Sequence, residues 1–448
     1  MRQSDKMANW SIPKLLYSMS IPAVFSMFVQ AMYNIVDTIY VSQISEDALF
    51  SIGLVFPVQM LLISIALGTS VGSGSLIARR LGAKNYEEAN KVATTGLVLT
   101  WINYIVIALA GFFLTKHFVT LFTSRAVIVT MASDYLFIVM MFSIGMFMAI
   151  YFERVLQSQG NMIVPMLSQL IGAVINIILD PLFIFGYGII PALGIKGAAI
   201  ATITAQFTSV VFMQIVFWKI KKDVHIELKG FQLQWKRIKD IYSIGIPVAF
   251  ISALSSVAIT IVNGLLISIS ELGVNALSIY FKLQSFVFMP CFGFNQGTLP
   301  ILSYSYGAKD YHRYIKTFRL YVTTTISITL LGALMFWLHT DFFINLFHPS
   351  QDLLVITRDT LRIISLCYFF YALSIAMGTI FQSLGIGIYS MYMATLRQVI
   401  LLLPLAYLLS RFFGLAGVWM AYPITEAVIC MVFVPICIKN VKMKFNRD

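Results

Sequence analysis

GAKNYEEANK, residues 82–91, returns 225 positions later as GAKDYHRYIK, residues 307–316. The same offset joins SIPAVF (Ser20–Phe25) to GIPVAF (Gly245–Phe250), Leu121–Phe122 to Leu346–Phe347, and Gln157 and Gly160 to Gln382 and Gly385. Gly68 and Gly72 map onto Gly293 and Gly297 in the same way. Agreement at one offset over such a range marks an internal duplication. The chain thus reads as two halves, 1–218 and 241–448, joined by the basic linker KIKKDVHIELKGFQLQWKRIKD at 219–240. That linker is expected to be a solvated or lipid-surface segment rather than a separate domain.

Of the 448 residues 59% are hydrophobic and 11% charged, whereas a soluble domain carries about 25% charged residues. The chain is therefore an integral membrane protein. Its apolar windows are long enough for helices of about 20 residues, and no alternating barrel pattern is visible. Twelve spans are expected, at 14–44, 49–78, 92–115, 131–156, 163–187, 195–218, 241–269, 274–305, 317–338, 360–383, 388–411 and 414–438. The first follows a polar start and is too long for a signal-peptide core, so it reads as a retained helix. The expected fold is all-α, with twelve transmembrane helices in two pseudo-symmetric six-helix bundles. An even number of spans per half makes the halves parallel repeats about an axis along the membrane normal.

The formal charge of +12 needs no nucleic-acid partner. Most Lys and Arg residues fall in alternate loops, while the opposite set holds six: Lys116, Arg125, Lys196, Arg358, Arg362 and Arg411. The positive-inside rule then places both termini in the cytoplasm of a plasma (inner) membrane protein. Cys291, Cys367, Cys430 and Cys437 form no CxxC and lie in apolar spans, so disulfides are not expected. His117, His225, His312, His339 and His348 fall in loops or at span ends, with no paired metal-ligand spacing. No GxxxxGK[ST] is present. No cofactor is expected, and energy would come from an ion gradient.

Asp37 sits in an apolar run from Leu15 to Ile44, and Asp180 in NIILDPLFIFG. Charge inside hydrocarbon is costly, so such carboxylates usually face a water-filled path or a partner. Both fall in the outer halves of their spans. Asn176 precedes Asp180 by four residues, and Tyr33 and Asn34 precede Asp37 by four and three, each on a shared helix face. Thr202 lies about eight residues into an inward-going span, at similar depth. Burial disfavours the charged form of a carboxylate, which poises it to exchange a proton. The same oxygens also suit a hard cation such as Na⁺. The bland reading of Asn176, Thr202 and Tyr33 is ordinary interhelical hydrogen bonding. Pro22, in the same helix as Asp37, is a candidate hinge or a static bend.

The second half lacks these acids. IVN at 261–263 puts Asn263 where IVD at 35–37 has Asp37, and Asp180 maps near Leu405. Instead there are three intramembrane charges, Lys282, Arg397 and Glu426. Arg397 and Glu426 are candidates for a structural pair, and Lys282 for a cavity-lining charge.

Over essentially its whole length the chain resembles the MATE (multidrug and toxic compound extrusion) transporters. The strings that carry the resemblance are YNIVDTIYV around Asp37, ARRLGAKNYEEA, NIILDPLFIFG and GIKGAAIATITAQ in the first half. In the second they are KLQSFVFMPCFGFNQG, LRQVILLLPL and FFGLAGVWMAYPITE. The resemblance implies a V-shaped pair of six-helix bundles, acting as a monomer that exports organic cations or other amphipathic small molecules in antiport with H⁺ or Na⁺. It places the cation site at Asp37, Asn176, Asp180 and Thr202, with Tyr33 nearby. The seventh span, FISALSSVAITIVNGLL, carries no Glu, which favours a likeness to the DinF-like prokaryotic branch. A lipid-linked precursor flippase of the same superfamily is the alternative. An intramembrane enzyme would need a nucleophile–base set that the sequence does not show.

Overall fold

The computed structural model describes residues 4–188, 190–220, 223–347 and 349–446. Arg2, Lys221, Lys222, His348 and Arg447 lie outside them. In order the helices are α1 (Asp5–Asn9), α2 (Ile12–Ser42), α3 (Glu46–Gly82), α4 (Tyr86–Thr120), α5 (Ala126–Met141), α6 (Ile144–Ser158), α7 (Ile163–Phe185) and α8 (Ile195–Lys219). They continue with α9 (Trp235–Ile269), α10 (Glu271–Gly307), α11 (Tyr311–Leu338), α12 (Thr340–Asn345), α13 (Gln351–Ser365), α14 (Tyr368–Ser383) and α15 (Ile388–Thr395). A π-helical stretch, Leu396–Leu402, then leads into α16 (Leu403–Asn446). Helices satisfy every backbone group within the segment, as hydrocarbon demands.

Among the described residues nine helices are long and apolar enough to cross a membrane, and two bent pairs add two more spans. Those pairs are α5 with α6, bent by 45°, and α13 with α14, bent by 51°. The last apolar stretch, Ile388–Asn446, has 59 residues. As one straight helix it would run about 90 Å, three times the hydrocarbon thickness. It breaks at Gly414, whose φ of 56° and ψ of −134° are not helical. Divided there, it supplies two spans and brings the number to twelve.

The duplication is visible in backbone detail. Lys84 and Lys309 both adopt left-handed φ, 56° and 57°. Each is followed by a capping side chain: Asn85 accepts from the Glu88 amide at 3.1 Å, and Asp310 from the Arg313 amide at 2.8 Å. GAKN and GAKD are thus one turn used twice. Gly194, which opens α8, has φ 55° and ψ −131°, nearly the conformation of Gly414.

By compactness the chain forms two units. One holds the chain up to Asn9 with Phe25–Ala249; the other holds Trp10–Val24 with Phe250 onward. The first part of α2 thus belongs with the second half, and the first part of α9 with the first. The repeated glycines explain this. A Cβ on Gly72 would stand 2.2 Å from the Ile241 carbonyl oxygen, and one on Gly68 2.8 Å from that of Gly245. In the other unit a Cβ on Gly293 would meet Val24 at 2.5 Å, and one on Gly297 would meet Ser20 at the same distance. Small residues let backbones touch, and here they seat α9 on α3 and α2 on α10.

The linker is more closely held than a solvated connector. Gln159 Oε1 accepts from the amides of Asp223 and Val224, Asn90 Oδ1 from that of His225, and Thr94 Oγ1 from that of Glu227. Arg237, almost fully buried, pairs with Glu88 at 2.9 Å. Residues 223–237 thus lie docked on the N-terminal unit.

Candidate functional site

In the N-terminal unit, α7 and α8 are locked by reciprocal bonds: Ser168 Oγ donates to the Ser209 carbonyl at 2.9 Å, and Ser209 Oγ to that of Ser168 at 3.0 Å. Gly172 admits the Ser209 hydroxyl, which would lie 2.3 Å from an added Cβ. One and two turns further along α7 the same face carries Asn176 and Asp180. Both are buried, Asp180 completely, and Asn176 Nδ2 donates to Asp180 Oδ1 at 3.0 Å. The other Asp180 oxygen, Oδ2, is buried with no hydrogen-bond partner, and so is Asn176 Oδ1.

Tyr33 and Asp37 project from one face of α2. Asp37 Oδ1 is also buried without a partner. The two carboxylates lie close enough to interact electrostatically with each other and with Tyr33. Tyr135, on α5, joins them: it is buried, interacts with Asp37, Asp180 and Tyr33, and its hydroxyl accepts from Gln59 Nε2 at 3.1 Å. Four helices thus converge on one small polar cluster. Thr202 is half-buried on α8 and makes no hydrogen bond to it; Asn34 is exposed.

Chemically the cluster is a set of oxygens in excess of donors. Two negative charges this close in apolar surroundings repel, and each also loses its hydration. A proton or a small cation relieves both costs. Among the described residues no group of three or more His, Cys, Asp or Glu is assembled for a metal ion. Tyr135 and Gln59 were not singled out by sequence reasoning. Gln59 could have been, as an amide inside the apolar run 49–78; Tyr135 is one of 21 tyrosines and carries no comparable signal.

The C-terminal unit is built differently. Arg397 lies on the π-helical stretch, with Nη1 3.6 Å from Glu426 Oε1 and its guanidinium 5.4 Å from the centre of the Tyr371 ring. Glu426 also accepts from Ser374 Oγ at 2.9 Å. Lys282 stands apart, exposed, with Nζ 5.7 Å from the Phe347 ring centre. Asn263, the counterpart of Asp37, is half-buried. The two units carry different polar chemistry on related frames.

The MatE family model matches residues 22–182 and 247–408, one copy in each half. The chain belongs to the MatE family. Among proteins similar to it are the FAD transporter of Shewanella oneidensis, 23% identical over 95% of this chain and 94% of that one, and the multidrug export protein MepA of Staphylococcus aureus, 23% identical over 93% and 91%. The outward-facing structure of a multidrug resistance MATE family transporter of the MOP superfamily superposes with a TM-score of 0.90 at 26% identity, covering 98% of both chains. MatE proteins are membrane transporters rather than enzymes, and this chain is a multi-span membrane transporter of that family.

Proposed function

We propose that the transporter exports small amphipathic compounds, organic cations among them, in exchange for H⁺ or Na⁺ taken up at Asp37 and Asp180. The observation that carries this reading is the set of three buried, unpartnered oxygens, Asp37 Oδ1, Asn176 Oδ1 and Asp180 Oδ2, around two mutually repelling carboxylates. Such a cluster holds a cation strongly when closed to water and releases it when opened. The names of relatives, a multidrug exporter and a flavin dinucleotide transporter, support small molecules as cargo.

The mechanism is competition. Cation binding at Asp37 and Asp180 disfavours the substrate-bound outward state, so substrate leaves and the cation-loaded protein returns. An antiporter requires only that each ligand bias the conformational equilibrium in the opposite sense. Asn176 holds Asp180 through its amide, and Tyr135, itself fixed by Gln59, supplies a neighbouring hydroxyl. The protein acts in the plasma membrane with both termini cytoplasmic, a reading that the Lys and Arg bias of its loops supports.

The test is transport by purified protein in liposomes, with ethidium as the probe and a pH or Na⁺ gradient imposed separately. One gradient drives ethidium movement in wild type, and Asp37→Asn abolishes it. Undiminished gradient-driven movement in Asp37→Asn would overturn the assignment.

A further inference from the structure

The C-terminal unit contains a half-open cavity of about 160 Å³, comparable in volume to one known to admit benzene. Its wall includes the rings of Tyr280, Phe281, Tyr371 and Tyr422 and the side chains of Arg397 and Glu426. The polar groups in it are unequally satisfied. Glu426 Oε2 accepts a hydrogen bond from Ser374, whereas Arg397 donates none: its approach to Glu426, 3.6 Å, is too long for one. A guanidinium carries five N–H donors in a planar fork, and that of the half-buried Arg397 faces the cavity with none of them accepted by a protein oxygen.

Three further buried atoms on wall residues lack partners, Tyr280 Oη among them. Thr425 Oγ1 has none, and Gln398 donates through Nε2 to Ser255 Oγ at 2.8 Å but leaves Oε1 free. The backbone beneath Arg397 and Gln398 is π-helical, an irregularity frequent at functional sites because it re-aims side chains.

We propose that this cavity is a second ligand site, which takes one aromatic ring bearing a carboxylate, the carboxylate seated on Arg397. A carboxylate matches the guanidinium fork with two parallel N–H···O bonds. The Thr425 hydroxyl donates to the same group. The ring lies among the tyrosines and Phe281, and Gln398 Oε1 accepts from an O–H or N–H substituent. Glu426 tunes the site: its charge opposes the incoming anion, and its bond from Ser374 holds it aside. A cation in the same place would meet Arg397 directly, which argues for the anion.

The probe is potassium benzoate, with potassium chloride as the blank and benzyl alcohol and benzylammonium chloride as ring-matched controls. Calorimetry and thermal unfolding are measured on the full chain in detergent. Benzoate binds and raises the unfolding temperature, while the controls do neither at the same concentration. Arg397→Gln weakens benzoate by about tenfold or more, as expected for loss of charged hydrogen bonds. Glu426→Gln strengthens it, since the amide keeps an acceptor for Ser374 and loses the repelling charge. Asp37→Asn leaves it unchanged. Equal binding of benzyl alcohol, preference for benzylammonium, or loss of benzoate in Asp37→Asn would each overturn the proposal. Should Arg397→Gln fail to fold, the controls and Glu426→Gln still decide.

Discussion

Two residues separated by 143 positions, Asp37 and Asp180, are brought within electrostatic reach of one another. Sequence alone exposes them, because a carboxylate in an apolar run is conspicuous and costly. Asn176 is exposed by the same logic, being one helical turn from Asp180. Tyr135 is invisible to it. A tyrosine is half apolar, so its presence in a span carries no signal, and only the approach of α5 to α2 and α7 gives its hydroxyl a role. Tyr135→Phe should therefore preserve the fold and slow gradient-driven transport about fivefold, the value of one ordinary hydrogen bond. Liposome efflux rates beside an unfolding curve check this. An unchanged rate would confine Tyr135 to packing.

At the scale of elements, the repeated strings announce the two halves, and the apolar windows announce the helices. What escapes such reading is tertiary. The bends between α5 and α6 and between α13 and α14 have no proline at the break, and the π-helical stretch that carries Arg397 contains neither proline nor glycine. The assignment of the starts of α2 and α9 to opposite units is equally hidden, because it depends on which helix meets a glycine face. GxxxG predicts close packing but not the partner. The contact makes a clear prediction. Gly72→Ala forces a methyl against the Ile241 carbonyl and should destabilise by about 1–3 kcal/mol. Gly53→Ala, on the same helix with nothing within 4 Å, should be neutral or slightly stabilising. Thermal unfolding in detergent measures both. Equal effects would remove the argument from backbone contact.

For the whole molecule, the basic linker docked on the N-terminal unit ties fold to orientation. Lys229 is exposed within it, and all four native cysteines are buried. Lys229→Cys should react with a membrane-impermeant maleimide in inverted vesicles and not in intact cells. The reverse pattern would invert the topology. The proposed antiport rests on opposition between cation and substrate, and thermodynamic linkage makes this opposition visible without a gradient. The most direct measurement is the equilibrium affinity of purified protein for ethidium across pH at fixed Na⁺, and across Na⁺ at fixed pH. In wild type the affinity should fall as either the proton or the Na⁺ concentration rises, and Asp37→Asn with Asp180→Asn should flatten that dependence. An affinity in wild type that is indifferent to both ions would contradict coupling at these carboxylates.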